Sequence, residues 1–351
     1  MLLVLVMAAA LWGIGALMGA PRRLRWSMIV VLWLAVVALH LLLPDGHPLR
    51  MATGESPALW LMLGGFATLV LVYRWGLQKL RNKANTTQLA ENKSIFSDSE
   101  LERYARHIVL RELGGPGQKA LKEARVLVIG AGGLGSPALL YLAAAGVGTI
   151  GVIDDDAVDN SNLQRQVIHR DRDIGLPKVK SAMAAMQGQN PHVQVHPYQR
   201  RLTEEIAHDL FAGYDVILDG TDNLDTRYLA NATAVAQGKP LISGALSQWE
   251  GQLSVFDPAR GAPCYQCIFP ERPAPGLAPS CAEAGVLGPL PGVVGAMMAA
   301  EAIKLIAQAG QPLLGEMLIY DALWGETRKI GLKPRQDCPI CMKTKEKDAK
   351  A

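Results

Sequence analysis

Three stretches near the start of the chain are apolar almost without interruption, at about 1–20, 26–43 and 57–74. Each approaches the roughly 20 helical residues needed to cross a bilayer. Past residue 75 the pattern changes. "RNKANTTQLAENKS" is polar and has no apolar periodicity, so a flexible linker is expected there. From residue 97 short apolar runs alternate with amphipathic segments. "SDSE" at 97–100 has the form of a capping box, with Ser97 capping a helix start and Glu100 bonding back. The helix "LERYARHIVLREL" should follow and end at Gly114-Gly115. "VLVIGAGGLGSPALLYLAAAG" (126–146) reads as a buried strand, a glycine-rich turn and a helix.

Further strands are expected at "TIGVIDDD", 193–197, "YDVILDGTDN", 240–244 and 251–256, and helices near 179–188, 203–211 and 224–237. This alternation predicts an α/β fold with a doubly wound, Rossmann-like, mostly parallel sheet whose ligand sits at the C-terminal strand ends. The expected plan is a membrane anchor of three transmembrane helices over 1–75, a linker over 76–96, a nucleotide-binding domain over 97–345 and a disordered tail over 346–351.

Charge adds an orientation. The net charge of +3 over 351 residues is too small to argue for a nucleic-acid partner. Basic residues collect beside the apolar stretches, at Arg22, Arg23, Arg25, Arg74, Lys79, Arg81 and Lys83, while the 44–56 loop carries Arg50. Short basic loops stay in the cytoplasm. The expected location is therefore the inner (cytoplasmic) membrane, multi-pass, with an outside N-terminus and the large domain in the cytoplasm. A secretory signal peptide competes for residues 1–20, but "MLLVLVMAAALW" lacks its basic start. The stretches hold almost no ionisable residues beyond His40 near an end, which suits an anchor better than a transport path.

The glycine turn sets the chemical question. Gly130, Gly132, Gly133 and Gly135 let the backbone turn tightly and approach a phosphate at a helix N-terminus, whether of a dinucleotide or of ATP. Asp154 and Asp156 are candidates for hydrogen-bonding a ribose, while Asp155 is expected to cap the loop that follows. Past them come Asn162, Arg165, Gln166 and, at a helix start after Pro177, Lys178. A hydride-transfer site needs an apolar slot here. Amides and cations instead suit the charge of a triphosphate. Asp222, at the end of a strand, is a candidate to hold Mg²⁺, with capping of the next helix as its alternative role, open also to Asn223 and Asp225.

Cys264 and Cys267 form one C-x-x-C, and Cys338 and Cys341 another. Together they match a structural tetrahedral Zn²⁺ site that would staple the C-terminal part to the domain. A redox C-x-x-C would leave one pair idle. Cys281 follows a proline-rich run, "PERPAPGLAPS", and is either a nucleophile on a crossover loop or a small apolar filler.

The ordered fragments "RYARHIVL", "GAGGLGSP", "NLQRQ", "GLPKV", "DGTDN", "EGQLSVF", "CYQC", "CAEAGVLGP" and "CPIC" resemble those of the HesA/MoeB/ThiF family of ubiquitin-activating-like adenylyltransferases. The likeness is strongest to the molybdopterin-synthase and thiamine-biosynthesis sulfur-carrier adenylyltransferases and covers about 97–343. It implies ATP-dependent adenylation of the C-terminal glycine of a small ubiquitin-fold carrier ending in Gly-Gly, giving an acyl-adenylate and pyrophosphate before sulfur transfer. By the same resemblance the four glycines hold the nucleotide turn and Asp154 and Asp156 lie at the ribose. Asn162, Arg165 and Lys178 contact phosphates, and Asp222 handles Mg²⁺. Arg106 matches an arginine donated across a homodimer interface, and Cys281 a cysteine that in some relatives links to the carrier. ATP, Mg²⁺ and Zn²⁺ are the implied cofactors, and a separate sulfurtransferase or desulfurase is the expected sulfur donor. The apolar N-terminus departs from these usually soluble enzymes. Two alternatives remain: an ATP-dependent tRNA-modifying dehydratase of the same superfamily, which should show a basic surface, and a non-catalytic membrane scaffold.

Overall fold

The computed structural model describes residues 2–54, 56–91, 95–272 and 284–342. The chain forms two compact units, 1–94 and 95–351.

The first unit holds α1 (Leu2–Leu17), α2 (Arg22–Leu42), the short α3 (Pro48–Thr53) and α4 (Ala58–Glu91). The Trp33 indole lies directly on Gly64, where an added Cβ would fall 2.2 Å from the ring, so only glycine admits this helix contact. Trp33 Nε1 also donates to the Trp60 carbonyl at 3.0 Å. Two expectations change. The first stretch forms a helix of 16 residues, about 24 Å long against a hydrocarbon core of about 30 Å. Of the three expected spans, α2 and the 58–79 part of α4 have full length and apolar character. The 76–96 linker is also revised, because α4 runs on helically to Glu91. Residues 80–91 contain neither glycine nor proline, and elongating a helix already nucleated upstream costs little.

The second unit is built on an eight-stranded sheet in the order β3-β2-β1-β4-β5-β6-β7-β8. Its strands are β1 (Arg125–Ile129), β2 (Thr149–Ile153), β3 (Gln194–Tyr198), β4 (Val216–Asp219), β5 (Leu241–Leu246), β6 (Glu250–Phe256), β7 (Glu316–Asp321) and β8 (Glu326–Gly331). The first five in spatial order are parallel, as expected, with Val128 opposite Val152 on one side and Leu218 on the other. From β5 to β8 the pairing is antiparallel, and β7 and β8 are additions to the expected set. β8 is exposed along its whole length, so it lacks the apolar alternation by which a strand shows itself in sequence.

The capping box at Ser97 forms as expected and starts α5 (Asp98–Ile108). That helix stops short of the expected end. The Leu110 carbonyl accepts from the amides of Leu113 and Gly114, Gly114 takes φ +60°, and a separate α6 (Gly114–Glu123) begins. The remaining helices are α7 (Gly135–Ala145), α8 (Lys178–Gln189), α9 (Glu204–Ala212), α10 (Leu224–Ala236), the single turn α11 (Tyr265–Ile268) and α12 (Pro289–Ala307). α7, α8 and α12 share one core with the sheet, through Leu139, Leu142, Ala182, Met298 and Ala302. α9 and α10 close the other face around Phe211, Tyr214 and Ile217. α12 has the length and hydropathy of a membrane span, yet it packs on the sheet as a core helix. Apolar composition alone does not separate the two environments.

Strands leave β1 in opposite directions, toward β2 on one side and β4 on the other. Such a reversal opens a crevice at the C-terminal ends of β1, β2 and β4. The candidate site lies there.

Candidate active site

A cleft of about 930 Å³ opens at this crevice and is lined by the glycine turn and by the loops after β2, β3 and β4. Gly130 takes φ +91°, which turns the chain sharply out of β1, and its amide donates to the Ile153 carbonyl at 2.9 Å. Gly135 starts α7 so close beneath the turn that a Cβ would fall 1.9 Å from the Gly130 carbonyl oxygen. The N-terminus of α7 therefore sits hard against the turn, where unpaired backbone amides favour an anion.

Asp154 is the organising carboxylate. One oxygen accepts from the Ala131 amide at 2.7 Å and the other from the Asp156 amide at 2.8 Å. Burial lifts its carboxyl above the ordinary value of 3.8, opposed by the nearby Lys178 charge and these two amides. The loop role expected of Asp155 thus falls to Asp154, whose carboxylate lies where it reaches two loop amides at once. Asp156 bonds to the buried Lys178 ammonium at 2.6 Å, and the Lys178 amide returns to the Asp156 carbonyl at 2.9 Å. The two residues expected at ribose and phosphate therefore form one ion pair at the cleft wall. The lysine is held there by that pair.

Beside them Arg165 is pinned by its own segment. Its guanidinium donates to Asn162 Oδ1 at 2.9 Å and to the Ser161 carbonyl at 3.2 Å. Gln166 lines the same cleft, is buried, and leaves its Oε1 without a hydrogen-bond partner. A buried unpaired amide oxygen is costly unless a ligand donor meets it. A Cβ added at Gly132 would meet nothing nearer than Gln166 Nε2 at 3.7 Å, so the turn leaves open space for that ligand. These residues fit a nucleotide.

The β4 loop completes the cleft. Asn223 caps α10, its Oδ1 accepting from the Thr226 amide at 3.0 Å. Asp222 is released from capping and stands exposed at the cleft, where it could hold a cation. Sequence reasoning missed what holds this tip in place. Asp219 is fully buried and accepts from the amide and hydroxyl of Thr221 at 3.1 and 2.7 Å. Its partner Arg227, also buried, donates to Ser243 Oγ at 3.0 Å, to the Gly244 carbonyl at 2.6 Å and to the Thr221 carbonyl.

Two further contributions were unforeseen. His169 bridges the Ala131 carbonyl and Ser181 Oγ, each at 2.9 Å, and so braces the turn, while burial holds its pKa below the ordinary 6.5. No local pattern ties it to a residue 38 positions earlier. Arg200 and Arg201 reach the cleft from the loop after β3. Their position just past a parallel strand end was the signal for them. A second cavity of about 440 Å³ lies between α12 and β6–β8. Its charged groups pair with one another, Glu301 with Lys304 and Glu316 with Lys329.

Arg106 sits exposed in the last turn of α5 and does not line the cleft of its own chain. Cys281 lies outside the described residues.

Away from the cleft, Cys264, Cys267, Cys338 and Cys341 converge in a buried cluster at the start of α11 and the C-terminal segment. Sulfur–sulfur distances are 3.8, 3.6 and 3.4 Å, too long for a disulfide and close to the edge of about 3.8 Å expected around zinc with bonds of about 2.3 Å. Burial and the neighbouring thiols push Cys264 up to about 12 and raise Cys341 as well. Burial acts the same way on Cys338, but the amides of Cys341 and Ile340 outweigh it and pull that thiol down. Four buried sulfurs at these separations fit a tetrahedral zinc.

Residues 104–340 match the ThiF family. A SAMP-activating enzyme E1 of Haloferax volcanii is 48% identical over 243 residues, covering 69% of this chain and 89% of that protein. The chain belongs to the ThiF family. A sulfur carrier protein adenylyltransferase of Thermus thermophilus is likewise 48% identical, over 250 residues and 92% of its length. A probable adenylyltransferase/sulfurtransferase MoeZ of Mycobacterium tuberculosis is 52% identical over 254 residues, covering 72% of this chain and 65% of that protein. Among solved structures, Escherichia coli MccB with ATP superposes with a TM-score of 0.59 at 22% identity, covering 68% of this chain and 74% of that one. At that identity the likeness establishes the shared fold. This ThiF-family protein is an adenylyltransferase.

Proposed function

We propose that this ThiF-family protein uses ATP to adenylate the C-terminal glycine of a small ubiquitin-fold sulfur carrier. The convergence of the glycine turn, Asp154, Asn162, Arg165, Gln166, Lys178 and Asp222 on one cleft carries this reading. The near-full-length relatives at 48% identity support the substrate class.

Gly132 and Gly133 present backbone to the triphosphate, and Asp154 holds the turn while facing the ribose. Arg165, oriented by Asn162, and Lys178, released in part from Asp156, meet the phosphates. Asp222 would hold Mg²⁺, which when bound would offset phosphate charge. The carrier carboxylate attacks the α-phosphorus. A new P–O bond forms, the bond to the β-phosphate oxygen breaks, and pyrophosphate leaves with that electron pair. No proton transfer or enzyme nucleophile is required, and the cations and amides of the cleft would meet the phosphate charge. Arg106 from a second copy would complete the site in a homodimer. The four cysteines would hold a structural Zn²⁺ that fastens the C-terminal segment. The apolar helices would anchor the protein in the cytoplasmic membrane, with the catalytic unit on the cytoplasmic side.

The test is carrier-dependent ATP–pyrophosphate exchange, using each small ubiquitin-fold protein of the source genome that ends in Gly-Gly. Exchange with one of them, lost when its last glycine is deleted, is expected. Absence of exchange with all of them overturns the reading.

A further inference from the structure

The helical N-terminal unit carries a charge asymmetry that catalysis does not use. Its level marker is the Trp33–Gly64 contact between α2 and α4. Toward one side, Thr53 ties the C-terminal end of α2 to the start of α4. Its hydroxyl bonds His40 Nε2 at 3.0 Å, and its carbonyl accepts from Trp60 Nε1 at 3.2 Å. The two helices therefore run antiparallel. In the other direction, Arg25 lies eight residues back along α2 and Arg74 ten residues on along α4. At 1.5 Å per residue these are about 12 and 15 Å from the contact, in one layer.

That layer gathers Arg22, Arg23, Arg25, Arg74 and Lys79. Arg22, Arg23, Arg74 and Lys79 are exposed, and none has a carboxylate partner among the described residues. Trp26, Tyr73 and Trp75 are exposed in the same layer, and Lys79 lies over the Trp75 ring at 5.0 Å. The opposite end is neutralised, with Asp45 paired to Arg50 at 2.7 Å. Aromatic rings beside free cations at the end of apolar helices mark a membrane–water interface.

We propose that this layer is a binding surface for anionic phospholipid headgroups in the leaflet from which α4 continues toward the catalytic unit. Charge complementarity selects the occupant: the four exposed cations, without a carboxylate partner among the described residues, face headgroups, while the aromatic rings occupy the depth just below the phosphates. The proposal rests on the reading of these helices as a membrane anchor.

The test reconstitutes the full chain in phosphatidylcholine membranes and compares the motionally restricted fraction of spin-labelled phosphatidylglycerol with that of spin-labelled phosphatidylcholine. A basic residue near an anionic surface contributes up to about fivefold. Averaged with an unselective opposite leaflet, an excess of about threefold is expected. Arg22→Gln/Arg23→Gln/Arg74→Gln/Lys79→Gln should bring the ratio to parity, whereas Asp45→Asn/Arg50→Gln at the other end should leave it unchanged. Parity in the unsubstituted chain, or an excess that survives the fourfold substitution, overturns the proposal. Flotation with neutral vesicles is run on every variant. A chain that fails to float refutes the anchor itself, and one that floats without anionic preference refutes this surface alone.

Discussion

Arg227→Ala should be among the most damaging single changes outside the substrate contacts. The guanidinium is buried, lies 3.6 Å from the Asp219 carboxylate, and supplies donors to Ser243 Oγ and to the carbonyls of Gly244 and Thr221. Truncation leaves the Asp219 side chain, 1% exposed, with the amide and hydroxyl of Thr221 and the Ser243 hydroxyl at 3.4 Å but no cation beside it. Removing one partner of a buried pair costs about 3–5 kcal/mol. At about 2–4 °C per kcal/mol for a domain of this size, the thermal midpoint of the catalytic unit should fall by about 6–20 °C. The same bonds tie the 220–223 tip to β5, so the KM for ATP·Mg should rise at temperatures where the variant is folded. Arg227→Lys keeps the charge and loses the fork, and should fall between the two. Calorimetry with exchange kinetics on the same preparations reads both effects. A midpoint shift below about 2 °C for Arg227→Ala, or an unchanged KM, refutes the brace.

Asp222→Ala and Arg165→Ala should each lower pyrophosphate exchange on the order of a hundredfold, as their proposed roles at the phosphates require, with little change in melting, since both positions are exposed or half-exposed; near-normal exchange counts against those roles. Arg106→Ala should be inactive alone and recover activity when mixed with Arg165→Ala, because one site of the mixed dimer keeps both arginines; no recovery despite shown subunit exchange rejects the shared site. Elemental analysis should find about one zinc per chain, lost in Cys338→Ser/Cys341→Ser with lowered stability, and a metal-free native protein ends that assignment. Burial opposes ionisation of Glu100, but Lys122 at 2.6 Å and Ser97 outweigh it and hold its pKa below 4.5. A lowered folded pKa gives stability present above 4.5 and lost as pH falls through the folded value. Urea midpoints below pH 4.5 should therefore fall less steeply for Glu100→Gln, and parallel slopes would contradict this.

What the sequence determined by itself is local. The capping box at Ser97, the turn at Gly130 and Gly135, the parallel strand–helix alternation and the two C-x-x-C pairs each depend on residues a few positions apart. Propensity and backbone sterics act at that range, and so does metal-ligand spacing. Tertiary structure decided which of several local options survived. Asn223 took the helix cap and freed Asp222, and Asp156 turned toward Lys178 across 22 residues. Asp219 and Arg227 paired beneath the tip, and His169 reached the glycine turn. Each choice depends on which polar group must be satisfied once the chain is buried, a condition set by distant neighbours. Environment likewise separated α12 from α2, since apolar helices of similar length suit a core or a bilayer equally and what packs around them makes the difference.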